Sequence, residues 1–312
     1  MYKDLNVIFM GTPEFCVPIL EMLVKESNVI AVVTQPDKEV GRKHELMSSP
    51  IKKVALENDI MVLQPTKIKE EYQNIIDLNP DIIITCAYGQ IIPEVILNNP
   101  KYGCINVHAS LLPKLRGGAP IHKAIIYGYG KTGITIMYMD KGMDTGDMIS
   151  KCEVVIEDDD TAETLHDKLQ KVSVPLLMET LPKIIDGTNS RIKQDNDEAT
   201  YAYNVSREEE HVLFDKTSKE IYNQIRGLNS WPGAYATLDD KNIKLWASKI
   251  NDKKYNIKAG TIINLDKNGL EVVTKDKSII ITELQLPGKK KTLVKDFING
   301  VKKEDYIGKT FS

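Results

Sequence analysis

Six short, nearly continuous apolar runs punctuate the first 150 or so residues, at Leu5–Met10, Val29–Val33, Ile60–Leu63, Asp81–Ala87, Cys104–His108 and Ile134–Met139. Such runs read as strands buried on both faces of a parallel sheet, because a strand with one face in water would alternate apolar and polar side chains. Helical stretches fill the gaps. Phe15, Ile19, Leu20 and Leu23 form a stripe within Pro13–Lys25, and Ser49 is placed to cap a helix opening at Pro50, where proline suits the first turn. Strand and helix in alternation imply βαβ units, and hence an α/β fold with a doubly wound, mostly parallel sheet. Ligands of such sheets bind outside the carboxyl ends of the strands, so the residues just after each strand are the first candidates for chemistry. The first of these turns, Gly11-Thr12-Pro13-Glu14-Phe15, lacks the Gly-x-Gly-x-x-Gly fingerprint, which disfavours a nicotinamide enzyme.

At about 150 residues per domain, 312 residues suggest two domains. Thr161–Ile185 reads as one long amphipathic helix with Leu165, Leu169, Val172, Leu176 and Leu177 on one side and Gly187 as its stop. The apolar pattern then lapses. From about Asn204 the character changes, with short strand-like runs at Tyr235–Leu238, Ile243–Ala247, Gly260–Asn264, Gly269–Thr274 and Ser278–Gln285. Five strands in so short a span suggest a small closed β-barrel, OB-like in size. The expected boundaries are 1–188 for the sheet domain, 189–204 for a linker and 205–312 for the barrel. Residues 206–312 carry 20 basic and 15 acidic side chains, a balance of +5, against −8 for the rest. A basic module on an acidic body suits a nucleic-acid partner, though on charge alone scattered surface lysine is the simpler explanation.

No apolar run approaches the roughly 18 residues of a membrane span, and the opening MYKDLNVIFMG reads as a first strand rather than a secretory signal. Cys16, Cys86, Cys104 and Cys152 form no Cys-x-x-Cys pair. That argues against a zinc knuckle or disulfide scaffold and for a reducing, cytoplasmic setting. No cluster resembles a metal site with an open position, so no metal is expected.

The stretch Cys104–Ile121, CINVHASLLPKLRGGAPI, is the most unusual in the chain. Strand alternation puts Asn106 and His108 on one side at a strand end. A second strand end follows at Asp140-Lys141-Gly142-Met143-Asp144-Thr145-Gly146, where two carboxylates sit in a glycine-rich loop. An amide, an imidazole and a carboxylate are the parts that acyl transfer to an amine needs. The amide and a protonated imidazole donate to the oxyanion that forms at the attacked carbonyl, and a carboxylate orients the imidazole and raises its pKa. No serine or cysteine occupies a nucleophile elbow, which points to direct transfer without a covalent acyl-enzyme. Each residue also has a plainer structural explanation taken singly; their convergence favours chemistry.

The motif Asn106-Val107-His108-Ala109-Ser110-Leu111-Leu112-Pro113, then Arg116-Gly117-Gly118-Ala119-Pro120-Ile121, resembles the core of the 10-formyltetrahydrofolate-dependent formyltransferases, and Met143-Asp144-Thr145-Gly146-Asp147 extends the match. The opening Val7–Phe15, the insert Gln35–Lys53 and Ile225–Tyr235 resemble its methionyl-tRNA formyltransferase branch. The resemblance spans essentially the whole chain. It implies a formyltransferase-like variant of the Rossmann sheet as a folate-binding catalytic domain, followed by a tRNA-binding barrel. It also implies Asn106, His108 and Asp144 as the catalytic set. Leu111, Leu112, Pro113 and Lys114 would line the folate site. Tyr88, Gly89, Ile91 and Ile92 would shape the pterin pocket with backbone from Asp140, Met143 and the rest of that loop. The activity implied is transfer of a formyl group from 10-formyltetrahydrofolate to the α-amine of charged initiator tRNA, in translation initiation, by a monomer.

In that branch the insert enters the acceptor stem through an arginine after glycine; Arg42 matches it, with Lys43 beside it. His44-Glu45 departs from the family's further lysines, and by themselves Lys38, Arg42 and Lys43 equally fit a solvated loop. Trp231-Pro232-Gly233 could stack a base, but the expectation is that Trp231 packs on its own barrel. Lys289–Lys291 and Lys302-Lys303 are better phosphate candidates. Rival functions are formyl transfer to an amino-sugar nucleotide and a non-catalytic folate-binding module.

Overall fold

The computed structural model describes residues 2–40 and 45–312. Arg42 and Lys43, the expected tRNA contacts, lie outside the described residues, as does His44. The chain divides into two compact units. One comprises Met1–Pro120, Thr132–Val155 and His166–Tyr203; the other comprises Ile121–Lys131, Ile156–Leu165 and Asn204–Ser312.

The first unit is built on strands β1 (Tyr2–Gly11), β2 (Ser27–Val33), β3 (Lys38–Val40), β4 (Glu45–Met47), β5 (Met61–Leu63), β6 (Ile82–Cys86), β7 (Cys104–His108), β8 (Lys131–Tyr138) and β9 (Met148–Val155). Seven of them form one sheet in the order β5-β2-β1-β6-β7-β8-β9, while β3 and β4 pair as a separate hairpin within the insert. From β1 the chain winds outward through β2 to β5, then returns to the other side of β1 with β6. The winding thus reverses between β1 and β6, which opens a crevice at their carboxyl ends. All five residues of β6 are buried, as its continuous apolar run requires. The sheet is parallel from β5 to β7, but β8 runs antiparallel to β7, with His108 opposite Thr135.

The helices begin with α1 (Val17–Glu26) and α2 (Pro50–Glu57), and α2 starts where Ser49 and Pro50 require it. The Ser49 hydroxyl accepts from the Lys52 amide at 3.1 Å, satisfying one of the free donors of the first turn. Short helices α3 (Gln73–Ile76), α4 (Glu94–Leu97) and α5 (Pro120–Ile126) precede the long α6 (Ala162–Ile185). Ile8, Met10, Ile83 and Ile84 are fully buried in the sheet, and Ile68, Ile75 and Ile96 pack in the same core as Ile8, Met10 and Ile83.

In the second unit, α7 (Ser218–Gly227) opens with a capping box between Thr217 and Glu220. Strands β10 (Ala234–Leu238), β11 (Lys241–Asn251), β12 (Ile262–Asp266), β13 (Gly269–Val273), β14 (Ser278–Gln285) and β15 (Thr292–Leu293) form an antiparallel sheet, β10-β11-β14-β13-β12, with β15 beside β14. Residues 308–312 connect its two edges: Gly308 and Phe311 bond to Ile262 and Gly260 at one side, and Ser312 exchanges both backbone hydrogen bonds with Thr237 at the other. Lys123, 2% exposed, pairs with Glu209 within this unit.

Trp231 does not pack as expected; it is 71% exposed. Trp246 takes the sheltered position instead. A side chain at Gly233 would meet the Trp246 ring at 2.6 Å, so that ring fills the space inside the Trp-Pro-Gly corner. Its indole donates to Gln285 at 3.1 Å, and Lys244 and Lys291 lie over its faces at 5.2 and 5.1 Å. Lys291 also pairs with Glu283 at 3.0 Å.

Candidate active site

Asn106 and His108 lie on one side of β7 at its carboxyl end, and the β8–β9 connection brings Asp144 against them. Asn106 is orientated from below. Its Oδ1 faces the Thr85 hydroxyl at 2.9 Å, which turns Nδ2 toward Asp144 Oδ1 at 3.4 Å. His108 is 5% exposed. Its Nε2 lies 3.0 Å from the main-chain oxygen of Leu115, and its Nδ1 lies 3.7 Å from Asp144 Oδ2. A carbonyl oxygen only accepts, so the first contact requires the ring hydrogen on Nε2 and leaves Nδ1 as the nitrogen that faces the carboxylate.

Asp144 sits at φ +53, a left-handed conformation that aspartate tolerates better than most residues. Its Oδ2 accepts from the Gly117 amide at 2.8 Å. Glycine is required there: φ is +116, and a Cβ would stand 2.9 Å from the Ala202 carbonyl oxygen. The carboxylate is therefore fixed by an N–H from the Arg116-Gly117-Gly118 loop while still reaching both β7 side chains.

The other expected residues divide by environment. Tyr88 and Ile92 are buried, and burial pushes the Tyr88 phenol well above its ordinary pKa. Ile91, expected to shape the pterin pocket, is 70% exposed. Gly89 has φ +94, and the preceding carbonyl of Tyr88 accepts from Thr12 Oγ1 at 3.1 Å and Gln35 Nε2 at 3.0 Å, which ties this strand end to those of β1 and β2. Leu112 is buried while Leu111 and Pro113 are half-buried and Lys114 is exposed. The Leu112 amide donates to Thr135 Oγ1 at 3.2 Å and its carbonyl accepts from Lys151 Nζ. Burial lowers the Lys151 pKa. Asp140 spends its carboxylate inside its own loop, accepting from the Gly142 amide at 2.9 Å and Thr145 Oγ1 at 2.6 Å. Met143 is half exposed.

Three residues around the site escaped the sequence reading. Thr85 is buried in β6 and sets the Asn106 amide. Arg116, which the sequence offers only as part of the family motif and with no role of its own, is 1% exposed. Gln194 comes from the stretch taken as a linker, where only the lapse of apolar pattern was visible. Among the described residues there is no group of three His, Cys, Asp or Glu side chains able to hold a metal, and no helix long and apolar enough to cross a membrane.

Residues 5–181 match the family model described as formyl transferase, and residues 204–302 match that of the formyl transferase C-terminal domain. A methionyl-tRNA formyltransferase of Bacillus subtilis is 51% identical over 309 residues, covering 97% of this chain and 98% of the relative. One from Staphylococcus aureus (strain JH1) is 48% identical over 298 residues, covering 95% and 96%. Among solved structures, WlaRD, a sugar 3N-formyl transferase, superposes with a TM-score of 0.66 at 22% identity, covering 92% of this chain and 99% of that one. A methionyl-tRNA formyltransferase from Clostridium thermocellum does so with a TM-score of 0.57 at 22% identity, covering 80% and 95%. At that identity the structures speak for a shared fold.

Proposed function

This chain belongs to the formyl transferase family, among the methionyl-tRNA formyltransferases, and we propose that it moves the formyl group of 10-formyltetrahydrofolate onto the α-amine of methionyl-initiator tRNA by direct attack, with Asn106, His108 and Asp144 as its catalytic residues. The observation that carries the reading is the convergence of these three side chains at neighbouring strand ends, beside the crevice where the winding reverses.

The neutral amine attacks the formyl carbon, and the carbonyl oxygen gains charge as the centre becomes tetrahedral. Asn106 Nδ2, turned outward by Thr85, donates to that oxygen. His108 meets the substrate through Nδ1, because Nε2 is held by the Leu115 carbonyl; a protonated Nδ1 is the second donor. Asp144 orients the imidazole and takes part in removing the amine proton. Collapse of the intermediate breaks the bond from the formyl carbon to N10, which takes up the proton the amine has lost, and releases tetrahydrofolate. The folate lies along Leu111–Lys114, its pterin against Tyr88–Ile92 and the Asp140–Met143 backbone; the exposed Ile91 offers an apolar surface there.

In this reading 1–188 is the catalytic domain, 189–204 the connection and 205–312 the tRNA-binding domain of a monomeric cytoplasmic enzyme. Arg42 and Lys43 contact the acceptor stem. The free cysteines, three of them buried, suit a reducing setting. The deciding experiment is formylation of charged initiator tRNA, compared with a charged elongator tRNA and an amino-sugar nucleotide. Preference for the amino sugar would overturn the tRNA assignment and leave the formyl-transfer chemistry standing.

A further inference from the structure

The loop that carries Asp144 is tied down from a segment about 50 residues later. Gln194 Nε2 donates to the main-chain oxygen of Asp144 at 2.7 Å and to that of Gly146 at 2.8 Å, using both amide hydrogens. Its Oε1 accepts from Arg116 Nε at 3.0 Å. The Arg116 guanidinium, 1% exposed, also donates to Asn196 Oδ1 at 3.0 Å. Turning the Gln194 amide over would set its oxygen against two carbonyls and its N–H groups against a guanidinium, so the chemistry of the partners fixes its orientation.

These contacts close a ring. Arg116 precedes Gly117, the Gly117 N–H holds the Asp144 carboxylate, Gln194 holds the Asp144 carbonyl, and Gln194 is itself held by Arg116. The backbone of Arg116 is fixed as well, donating to Thr200 O at 2.8 Å and accepting from Ala202 N at 2.7 Å. Asp144 has φ +53 and follows three exposed residues, 141–143, so the direction of its carboxylate rests on the hydrogen bonds that hold the carboxylate and the main chain.

Resting on the catalytic reading of Asn106, His108 and Asp144, we propose that Gln194, braced by Arg116, is a positioning residue for formyl transfer: it sets the backbone from which the Asp144 carboxylate reaches His108 and Asn106. A misplacement of about 1 Å in a reacting constellation can cost on the order of 100-fold in rate.

The test uses the full-length protein, charged initiator tRNA and 10-formyltetrahydrofolate. Gln194→Glu keeps an oxygen for Arg116 but presents no N–H to the two carbonyls. It should stay folded with a lowered melting temperature, because a carboxylate oxygen now faces the two carbonyls, leave both KM values within about threefold and lower kcat roughly 10- to 100-fold. Added to Asp144→Asn under single-turnover conditions, it should cost less than about twofold more, because the group it positions is already disabled. A residue that only supports the fold would instead give losses that multiply. Parental kcat in Gln194→Glu, or multiplying losses, would overturn the proposal. If Gln194→Glu fails to fold, Gln194→Met, similar in shape and without donors, takes its place in the same measurements; failure of both to fold would overturn it too. A parent protein that does not formylate the tRNA would instead overturn the functional reading beneath it.

Discussion

The His108 imidazole is held between two oxygens of different kinds, the Leu115 carbonyl at 3.0 Å from Nε2 and the Asp144 carboxylate at 3.7 Å from Nδ1. The shorter contact is a hydrogen bond; the longer one exceeds the range of a direct bond and leaves Nδ1 free to engage a reactant. The ring is thus anchored at one nitrogen and available at the other.

His108→Ala should lower turnover by about 10²–10⁴-fold, the usual contribution of a positioned acid–base group. Because His108 is buried, the variant should also lose stability, by roughly 0.5–3 kcal/mol. Steady-state kinetics with circular dichroism and thermal melting separate the two effects. A folded variant with near-parental turnover would remove His108 from the mechanism.

Gly117→Ala should reduce turnover at least tenfold even though the new methyl group never meets substrate. Alanine at φ +116, with its Cβ 2.9 Å from the Ala202 oxygen, costs about 1–3 kcal/mol and forces the loop to shift, withdrawing the N–H from Asp144. Melting temperature and kcat should fall together, whereas folate affinity, read by fluorescence titration, should change less than threefold.

The base of the β3–β4 hairpin should stay latched at neutral pH and loosen only in acid. Asp37 accepts from Lys52 Nζ at 2.7 Å and from Gln64 Nε2 at 2.9 Å, and these bonds, that from Lys52 foremost, hold its carboxyl below the usual range. An unfolded aspartate titrates near about 3.9. With the folded value lower still, the stabilisation is fully present above the unfolded value and is lost as pH falls through the folded one. Asp37→Asn should therefore loosen the hairpin base at every pH and abolish its acid transition. Amide-exchange protection of β3 and β4, corrected for intrinsic rates from about pH 2 to about pH 7, reads this out.

Arg42→Ala in the full chain should raise the tRNA KM several-fold with little change in folate affinity. Taking one cation away from a phosphate should make binding less sensitive to salt, by about 0.9 in the slope of log K against log salt on a duplex stem. Filter binding across a salt series measures it. An unchanged slope and KM would mean that Arg42 meets no phosphate.

The strand runs were legible because burial on both faces leaves an unbroken apolar signature, as in β6. Met148–Val155 carries a mixed pattern, with Lys151 and Glu153 among its apolar residues, and so β9 went unread. The direction of β8 was invisible for another reason: an apolar run records burial, and the antiparallel pairing of His108 with Thr135 depends on the chain's path. Asn106, His108 and Asp144 stood out through a dense motif. Gln194, Asn196 and Thr200 did not, since their role lies in hydrogen bonds to Arg116, Asp144 and Leu115 that no local periodicity encodes. Trp231 was misjudged because the chain holds two tryptophans and only the fold says which of them Gly233 admits.

The pairing of Lys123 with Glu209 carries a cost in time. The two residues lie 86 apart in the chain. During synthesis at about 5–20 residues per second, Lys123 is made roughly 4–17 s before its partner exists. Until then its ammonium must stay in water, and the segment 121–131 cannot settle into the unit where it belongs. The nascent chain therefore has to hold two of that unit's pieces, 121–131 and then 156–165, in waiting until the rest of that unit, from Asn204 onward, is made, and slowing translation across residues 132–208 would lengthen the wait.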